Sequence, residues 1–285
     1  RAILTTSLAA SALTARRLLG ATAQNGLGLQ LWTVRNQLAA DQDGTLKAIV
    51  DSGYEQVELM NVVDSIELAK AAQDRGLKIR SAFFNWETIA NPSNKQAPSL
   101  ERIIEVASDM KLEYLVFGYI GREFRDTADK LRKIADRANE AASKIRAAGM
   151  QTSYHNHSFE FERLGDKAGI EIFMERFDPQ LIHFELDVFW AAIGGWDPVA
   201  LLEKLGRRVN QVHLKDLKAG QGTVYDEGKV AADAFQEVGD GTIDMSAVIS
   251  TAIGNGVLQF HVEQDQSPDP LASIRQSRDY LKGKL

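Results

Sequence analysis

A regular alternation of short apolar segments with helix-forming segments limits, more than any other feature, how this chain can fold. From residue 27 onward, each apolar-rich run is followed by a stretch of helix-forming residues. This alternation is typical of βαβ units, in which helices join neighbouring parallel strands. The sequence predicts eight strands, at residues 27–34, 56–59, 78–85, 114–119, 150–157, 182–190, 209–216 and 258–265.

The segments between the predicted strands have the composition and the end signals of helices. Residues 126–149 are rich in good helix formers and end at Gly149, and glycine is the residue that helix C-termini prefer. Eight strands alternating with eight helices predict an α/β fold, a single-domain (β/α)8 (TIM) barrel, rather than a doubly wound sheet. We assign residues 24–285 to this barrel. The irregular stretch at residues 219–244, after strand seven, is expected on the catalytic face.

The first 23 residues differ in composition from the rest of the chain. Residues 1–23 contain a run of small and apolar residues without an acidic one, and Ala21 and Ala23 form the small-x-small pattern of a signal-peptidase site. We expect the remnant of an export signal here, which would place the protein in the periplasm or otherwise outside the cytoplasm. The run is too short to span a bilayer. The alternative, favoured by Arg16 and Arg17, is an N-terminal helix across the barrel of a cytoplasmic protein.

Charge and cysteine content exclude several classes of function. The formal net charge of −6 argues against a protein that grips a nucleic-acid backbone, which would normally carry a basic patch. The chain has no cysteine, so thiolate zinc sites, disulfides and cysteine nucleophiles are excluded. A small molecule is therefore the expected partner.

Polar and apolar side chains alternate along the predicted strands, and successive strand residues face opposite sides of a sheet. In strand six, Phe184 and Leu186 share one side, whereas Glu185 and Asp187 share the other. The apolar side is expected against the helices, so the polar side faces the barrel interior. Burying many ionisable groups is costly unless they pair, form hydrogen bonds or bind a cation. All five histidines lie on this inward side of strands five to eight: His155, His157, His183, His213 and His261.

Imidazole and carboxylate groups near the C-terminal ends of the strands predict a site for one divalent metal ion. Asp187, His213 and Glu263 are the best ligand candidates, with His155 as the fourth. These ligand types suit Mn²⁺, Zn²⁺, Co²⁺ or Mg²⁺, and the sequence does not choose among them.

The alternative to a metal is a buried network of salt bridges and hydrogen bonds. It would centre on His183, Glu185 and His261. His183 and His261 lie deeper in their strands than the ligand candidates. We therefore interpret these two histidines as core residues or as groups that support the ligands.

Five motifs give the chain a resemblance to the sugar phosphate isomerase/epimerase family, the xylose isomerase-like TIM barrels. They are GYEQVEL, YHNHSFEF, ELDVFWAAIGGWDP, VHLKD and HVEQD, on strands two, five, six, seven and eight. The resemblance implies a metal held by a glutamate from strand five, an aspartate from strand six, a histidine from strand seven and a glutamate from strand eight. The last three correspond here to Asp187, His213 and Glu263.

The chain departs from this family pattern at strand five, where His155 replaces the glutamate. In the family, the glutamates of strands five and eight bind the metal and also exchange protons with opposite faces of the sugar carbon. A histidine can ligate a metal and can move a proton near neutral pH. The resemblance therefore implies a metal site, whereas the symmetrical two-glutamate mechanism does not follow from it.

Further functional residues are expected beside these ligands. His157 is a candidate catalytic acid or base, against a rim histidine without a role. Lys215 is a candidate for polarising a carbonyl, against a salt bridge to Glu185 or Asp265. Glu263 would also transfer protons. The substrate-binding candidates are Trp32, Glu58, Phe84, Glu160 and Trp190.

These features predict a metal-dependent sugar isomerase or epimerase that removes a proton next to a carbonyl and stabilises an enediolate. The same site would serve a lyase or hydrolase of keto-glycosides, and the change at strand five and the expected export favour this alternative. A non-catalytic sugar-binding barrel is the third interpretation, and an abasic-site endonuclease the fourth. The expected partner is a small carbohydrate, with no nucleic acid and no membrane span in the mature chain, and a homo-oligomer is left open.

Overall fold

The computed structural model describes residues 27–285, and within them eight parallel strands close into a barrel. Each strand pairs with its neighbours in chain order, and β1 pairs with both β2 and β8. This architecture confirms the predicted (β/α)8 barrel. The expected export signal at residues 1–23 lies outside the described residues. The strands are β1 Gly28–Gln30, β2 Gln56–Leu59, β3 Lys78–Phe83, β4 Tyr114–Gly118, β5 Gln151–His155, β6 Ile182–Asp187, β7 Val209–Leu214 and β8 Gln259–Val262.

Helices follow the strands and surround the barrel. Shorter helices at Arg35–Ala40, Glu87–Ala90 and Val188–Ile193 occupy the loops that follow β1, β3 and β6. No helix within residues 27–285 is both long and apolar enough to cross a membrane. The main helices are α1 Gln42–Asp51, α2 Ile66–Asp74, α3 Leu100–Asp109, α4 Ala128–Ala147, α5 Gly169–Arg176, α6 Pro198–Leu205, α7 Met245–Asn255 and α8 Pro270–Leu281.

Side-chain caps fix where several of these helices begin. At α4, the Thr127 hydroxyl accepts a hydrogen bond from the Lys130 backbone, which satisfies a donor that the first helical turn leaves free. The same chain segment ends near Gly149, whose φ of 89° is a conformation that glycine adopts without strain. The predicted helix at residues 126–149 is therefore confirmed, with its ends drawn in by two residues.

The predicted strand at residues 56–59 is confirmed, and the other seven are longer than the observed strands; in two of these the chain turns into helix within the predicted strand. After β1, residues Leu31–Val34 form a 3-10 helix, and the Gln30 side chain accepts a hydrogen bond from the Trp32 backbone. After β6, the Asp187 carboxylate caps the helix Val188–Ile193 by accepting from the Trp190 backbone at 2.9 Å. Apolar residues continue in both segments, so composition alone could not locate the end of the strand.

The barrel interior is polar, as the alternation of side chains predicts. Near its N-terminal end, amides and hydroxyls bond to one another: Gln56 Nε2 donates to Gln259 Oε1 at 3.1 Å, and Gln211 Nε2 donates to Ser153 Oγ at 3.2 Å. The opposite strand faces are apolar, and residues such as Leu186 are fully buried against the helices. The ionisable groups lie above the amide layer, towards the C-terminal ends of the strands.

The long segment after β7 is organised around one buried aspartate. Asp216 accepts backbone hydrogen bonds from Gly239 at 2.9 Å, Gly241 at 3.1 Å and Ile243 at 3.1 Å. A Cβ atom at Gly241 would lie 2.2 Å from an Asp216 carboxylate oxygen, so only glycine fits there. This arrangement brings residues 227–235 of the segment over the C-terminal face of the barrel.

Candidate functional site

The four residues predicted as metal ligands come together at the C-terminal end of the barrel. One ligand atom each from His155, Asp187, His213 and Glu263 lies within 4.8 Å of the others, and all four side chains are buried. Asp187 and His213 are register partners at the ends of β6 and β7. Glu263 follows the last residue of β8, and His155 is the last residue of β5. We call these four residues the upper cluster.

The chemistry of the upper cluster fits a divalent cation. Within residues 27–285, Asp187 Oδ2 and His155 Nδ1 are buried and make no well-aligned hydrogen bond, although Asp187 Oδ2 lies 3.0 Å from Lys215 Nζ and His155 Nδ1 lies 3.3 Å from Glu185 Oε2. Buried polar atoms are normally hydrogen-bonded, so both atoms have capacity for a further ligand. Two carboxylates and two imidazoles are a donor set that first-row divalent ions accept. The buried acidic and imidazole groups could therefore hold a metal ion. The geometry does not distinguish among the divalent ions that these groups accept.

His213 bridges the upper cluster and a second group of ionisable residues beneath it. Its Nε2 lies 2.7 Å from Glu58 Oε2 and 3.3 Å from Glu185 Oε1, whereas its Nδ1 lies 3.1 Å from Glu263 Oε2. Burial alone would lower the pKa of His213, but the carboxylates of Glu185 and Glu58 raise it well above its ordinary value. The raised pKa favours a proton on each ring nitrogen, donated from Nε2 to Glu58 and from Nδ1 to Glu263. A cation in the upper cluster would take the place of the proton on Nδ1, while Nε2 keeps its proton on Glu58.

The lower cluster consists of Glu58, Glu185, His213 and His261, whose ligand atoms also lie within 4.8 Å of one another. Burial raises the pKa of Glu58, but His261 and His213 outweigh it and lower the value to about 2. Burial and the neighbouring Glu58 charge raise the pKa of Glu185 well above its ordinary value. Within the pair of Glu58 and Glu185, the first carboxylate is therefore charged and the second retains a proton. The lower cluster shares Glu185 and His261 with the metal-free network considered from the sequence, but it does not include His183.

Glu58, predicted to contact substrate, lies in this lower cluster rather than on the cleft wall. Its carboxylate accepts hydrogen bonds from Gln30 Nε2 at 2.8 Å and from Ser81 Oγ at 2.5 Å, in addition to its contact with His213. The side chain is fully buried. The geometry therefore makes Glu58 a positioning residue for His213.

Lys215 is surrounded by carboxylates at the edge of the upper cluster. Its Nζ lies 2.7 Å from Glu263 Oε2, 3.0 Å from Asp187 Oδ2 and 3.1 Å from Asp265 Oδ2. Burial would lower the pKa of Lys215, but these three carboxylates raise it, so the side chain remains an ammonium ion. Of the two salt bridges considered from the sequence, the one to Asp265 is present. Lys215 also lines the cleft described below.

His157 lies just beyond β5, at the wall of the cleft. Its ring centroid is 5.0 Å from that of His155, 5.4 Å from that of Trp190 and 5.7 Å from that of Tyr119. Burial and the charge of Lys215 lower the pKa of His157 to about 3. The imidazole is therefore neutral at neutral pH in this environment.

Glu160, also predicted to contact substrate, points away from the cleft. Its Oε1 accepts a hydrogen bond from the Tyr154 hydroxyl at 2.6 Å, and its Oε2 accepts one from the His157 backbone at 2.9 Å. The reason is local, because Phe159–Phe161 form a 3-10 turn that directs the side chain into the protein. The carboxylate thus holds the backbone of His157 and is not among the residues that line the cleft.

A cleft of about 700 Å³ opens above the upper cluster. Of the predicted substrate-binding residues, Trp32, Phe84 and Trp190 line it, together with His155, His157, Lys215 and Glu263. Trp86, another aromatic residue that the sequence places just after a strand, also lines the cleft. Sequence reasoning missed several further wall residues, which lie in loops: Met60, Tyr119, Glu227 and Phe235. Tyr119 has a φ of 67°, which is uncommon for a residue other than glycine and which the sequence does not reveal. The wall is largely aromatic, a surface on which sugar C–H faces can stack.

Fold and site together define a (β/α)8 barrel with a buried group of imidazoles and carboxylates beneath an aromatic cleft. The model of the xylose isomerase-like TIM barrel family matches residues 46–284. The chain belongs to this family. The resemblance seen in the five strand motifs is thereby confirmed.

Similar proteins include both dehydratases and isomerases or epimerases. An inosose dehydratase from Clostridium tetani is 24% identical over 258 residues, which cover 82% of this chain and 86% of that protein. A sugar phosphate isomerase/epimerase structure from Parabacteroides distasonis is 24% identical with a TM-score of 0.71, covering 90% of this chain and 97% of that one. The structure of the probable 3-DHS dehydratase from Bacillus anthracis is 13% identical with a TM-score of 0.67, covering 91% of this chain and 99% of that one. These relatives are named as enzymes.

Proposed function

We propose that this protein is a divalent-metal-dependent carbon–oxygen lyase that acts on a keto-sugar or a keto-cyclitol. The reaction would begin with removal of the proton next to the carbonyl and end with β-elimination of an oxygen substituent. The observation that carries the proposal is the upper cluster of His155, Asp187, His213 and Glu263 at the base of an aromatic cleft. The inosose dehydratase relative supports it, since that name describes loss of water from a keto-cyclitol.

The upper cluster would hold the cation through Asp187 Oδ2, His213 Nδ1, Glu263 and His155. A divalent cation bound there would act as a Lewis acid towards the substrate oxygens. Lys215 lines the same floor of the cleft, so its ammonium group is available to stabilise negative charge that develops on a carbonyl oxygen. Its three carboxylate contacts fix the position of this charge before substrate arrives.

His157 is the residue we assign to proton transfer. Its imidazole takes the proton from the carbon next to the carbonyl, and the electron pair of that C–H bond moves towards the carbonyl oxygen to form an enolate. The enolate then restores the carbonyl, a carbon–carbon double bond forms, and the β carbon–oxygen bond breaks. The departing oxygen takes the proton back from His157, so that water or an alcohol leaves and the imidazole is neutral again. One histidine can serve as base and then as acid: the lowered pKa of about 3 leaves the His157 imidazole neutral and able to accept the proton, and the imidazolium ion that forms is then a strong acid towards the departing oxygen.

Epimerisation on the same site is the second candidate. It needs two proton-exchanging groups on opposite faces of one carbon, and both Glu263 and His157 line the cleft. We favour elimination because Glu263 is held by Lys215 at 2.7 Å and by His213 at 3.1 Å, which makes it the less available base. The sugar phosphate isomerase/epimerase structure supports the alternative only through its fold.

Incubation of the metal-loaded protein in D₂O with an inosose, a keto-hexose and a keto-glycoside tests both candidates. We expect loss of water or alcohol in the product mass; a product that has lost neither and differs from the substrate only by one incorporated deuterium would instead indicate epimerisation. Neither elimination nor deuterium incorporation with any of the three would refute the enolate chemistry.

The variant His157→Asn keeps a polar side chain with a nitrogen near the position of Nδ1, but it cannot carry the proton. We expect it to lower kcat by about 10²–10⁴-fold, the usual contribution of general acid–base catalysis. His183→Asn is the matched control, because His183 is a β6 histidine that does not line the cleft. Equal effects of the two substitutions would remove His157 from the mechanism.

A further inference from the structure

Tyr119, the residue that follows β4, points to the side of the sheet opposite to the one that strand alternation predicts. Gly118 is the register partner of His155 and faces the barrel interior. Phe117 lies on the outer face, where its ring packs against that of Tyr154. Continued alternation would place Tyr119 on this outer face as well, yet its side chain lines the cleft.

The backbone of Tyr119 is the cause of this reversal. Its φ of 67° lies in the left-handed region, which residues with a Cβ atom seldom adopt. Among the described residues other than glycine, only Lys111 also has a positive φ, of 60°. Lys111 has a local reason for it, because it terminates helix α3 with its N–H donating to the Ser108 carbonyl at 3.0 Å. Tyr119 follows a strand instead, and unusual backbone conformations without such a local reason concentrate at functional sites.

In this conformation the ring of Tyr119 packs against the imidazole of His157. The two ring centroids are 5.7 Å apart and the ring planes are at 78°, an edge-to-face contact that aromatic rings favour. His157 Nδ1 is buried and has no hydrogen-bond partner within residues 27–285. Ring packing, rather than a hydrogen bond at Nδ1, therefore sets the orientation of this imidazole. Phe159 is nearly parallel to it, at 15°, so the perpendicular contact comes from Tyr119.

Tyr119 is itself held in place by neighbouring side chains. Its ring makes a second edge-to-face contact with Trp86, at 5.7 Å and 76°. The guanidinium carbon of Arg125 lies 5.5 Å from the ring centroid of Tyr119. Arg125 is fixed in turn, since its side chain is only 6% exposed and its Nη2 donates to Glu227 Oε1 at 2.6 Å. The Tyr119 ring therefore cannot move away from His157 without losing these contacts.

We infer that Tyr119 is a positioning residue for proton transfer, which holds the imidazole of His157 in the orientation that faces the substrate. Its left-handed backbone is what brings the ring to this place. The contacts of Tyr119 with His157, Trp86 and Arg125 are all made by the ring, so the inference concerns the ring and not the hydroxyl group. It rests on the proposed function for the role of His157 in catalysis.

The variant Tyr119→Asn removes the ring while it keeps the backbone, because asparagine tolerates the left-handed conformation better than most residues. In the metal-loaded protein we expect kcat to fall by about 10–100-fold, since a displacement of about 1 Å in a catalytic group can cost 10²-fold. KM should change much less than kcat. Tyr119→Phe retains the ring and should keep kcat close to the wild-type value. A raised KM with unchanged kcat in Tyr119→Asn would make Tyr119 a substrate contact and would overturn the inference.

Crystal structures of the wild type and of both variants provide a second measurement that does not depend on activity. We expect the His157 imidazole to rotate or to lose its ordered density in Tyr119→Asn and to stay in place in Tyr119→Phe. Lys111→Asn is the matched control, because Lys111 has the same type of backbone conformation at an exposed position before β4. It should leave both kcat and the imidazole unchanged.

An unmoved imidazole in Tyr119→Asn would overturn the inference, and so would equal losses of kcat in Tyr119→Asn and Tyr119→Phe. A comparable loss in Lys111→Asn would trace the effect to the backbone conformation in general and would overturn it as well. A displaced imidazole in a protein that shows neither elimination nor deuterium incorporation would retain the positioning of His157 by Tyr119 and reject the proposed function.

Discussion

His213 and Glu58 are joined by a 2.7 Å contact between the imidazole Nε2 and the carboxylate Oε2, both fully buried. This contact fixes the ring orientation and accepts the proton of Nε2, so that Nδ1 points towards Glu263 at 3.1 Å. Carboxylates that orient a ligating histidine in this way increase its metal affinity. We therefore expect the affinity of the upper cluster for a cation to depend on a residue that does not belong to that cluster.

We expect Glu58→Gln to weaken binding of a divalent ion by about 10–100-fold, because an amide holds the His213 proton less strongly than a carboxylate does. Competition with a chelator of known affinity measures the change. Glu55→Gln is the control, since Glu55 is exposed and precedes the same strand. Unchanged affinity in Glu58→Gln would mean that the His213–Glu58 contact does not support the ligand.

Metal content distinguishes the upper cluster from the lower one. If the ion lies in the upper cluster, His155→Ala and Asp187→Ala should each remove it, because both contribute only to that cluster. His261→Ala, which alters only the lower cluster, should retain it. Mass spectrometry of the metal content per chain provides the measurement. The reverse pattern, with metal kept in His155→Ala and lost in His261→Ala, would place the ion below His213.

Side-chain alternation predicted the upper cluster because its members lie on strands or at their ends. A strand has a period of two, so the parity that places Glu185 inward also places Asp187 inward, and both are buried there. His213 and Glu263 follow the same rule on β7 and after β8. The fold was predictable because apolar runs and helix patterns alternate along the chain, as βαβ units require.

Beyond the strand ends this rule no longer applies. Glu160 lies on a 3-10 turn, and its inward direction depends on hydrogen bonds to Tyr154 and to the His157 backbone. Glu227 lines the cleft and pairs with Arg125, about a hundred residues earlier in the chain. Such contacts join positions that are far apart in sequence, and a single sequence carries no signal of them.

The loop after β7 should depend on Asp216 for its conformation. Asp216→Asn replaces one accepting oxygen by an amide nitrogen, which would face two backbone donors: Gly239 at 2.9 Å and Gly241 at 3.1 Å in place of Oδ2, or Leu217 at 2.8 Å and Ile243 at 3.1 Å in place of Oδ1. We expect a loss of about 2–4 kcal/mol in the free energy of unfolding, since hydrogen bonds to charged groups contribute about 1.5–3 kcal/mol each. Urea denaturation measures it. Asp240→Asn, in the same loop but near the surface, should cost less than about 0.5 kcal/mol; a comparable loss in both variants would contradict the role of Asp216.

Glu160 should make the stability of the protein fall as the pH rises. Burial raises the pKa of Glu160 to about 8, against an ordinary value of 4.5, although hydrogen bonds from Tyr154 and the charge of Arg125 oppose the shift. Between these two values the folded protein binds a proton that the unfolded chain does not bind. The stabilisation is therefore complete below about pH 4.5 and is lost as the pH rises towards about 8.

Glu160→Gln removes this proton equilibrium while preserving the size of the side chain. Between pH 6 and pH 8 the wild type should lose up to about 2–3 kcal/mol more unfolding free energy than the variant, because each pH unit contributes about 1.4 kcal/mol. Urea denaturation at the two pH values provides the comparison. Glu162→Gln, at a nearby exposed glutamate, should follow the wild type. If Glu160→Gln also follows the wild type, Glu160 is already charged at pH 6, and its hydrogen bonds to Tyr154 and His157 outweigh the effect of burial.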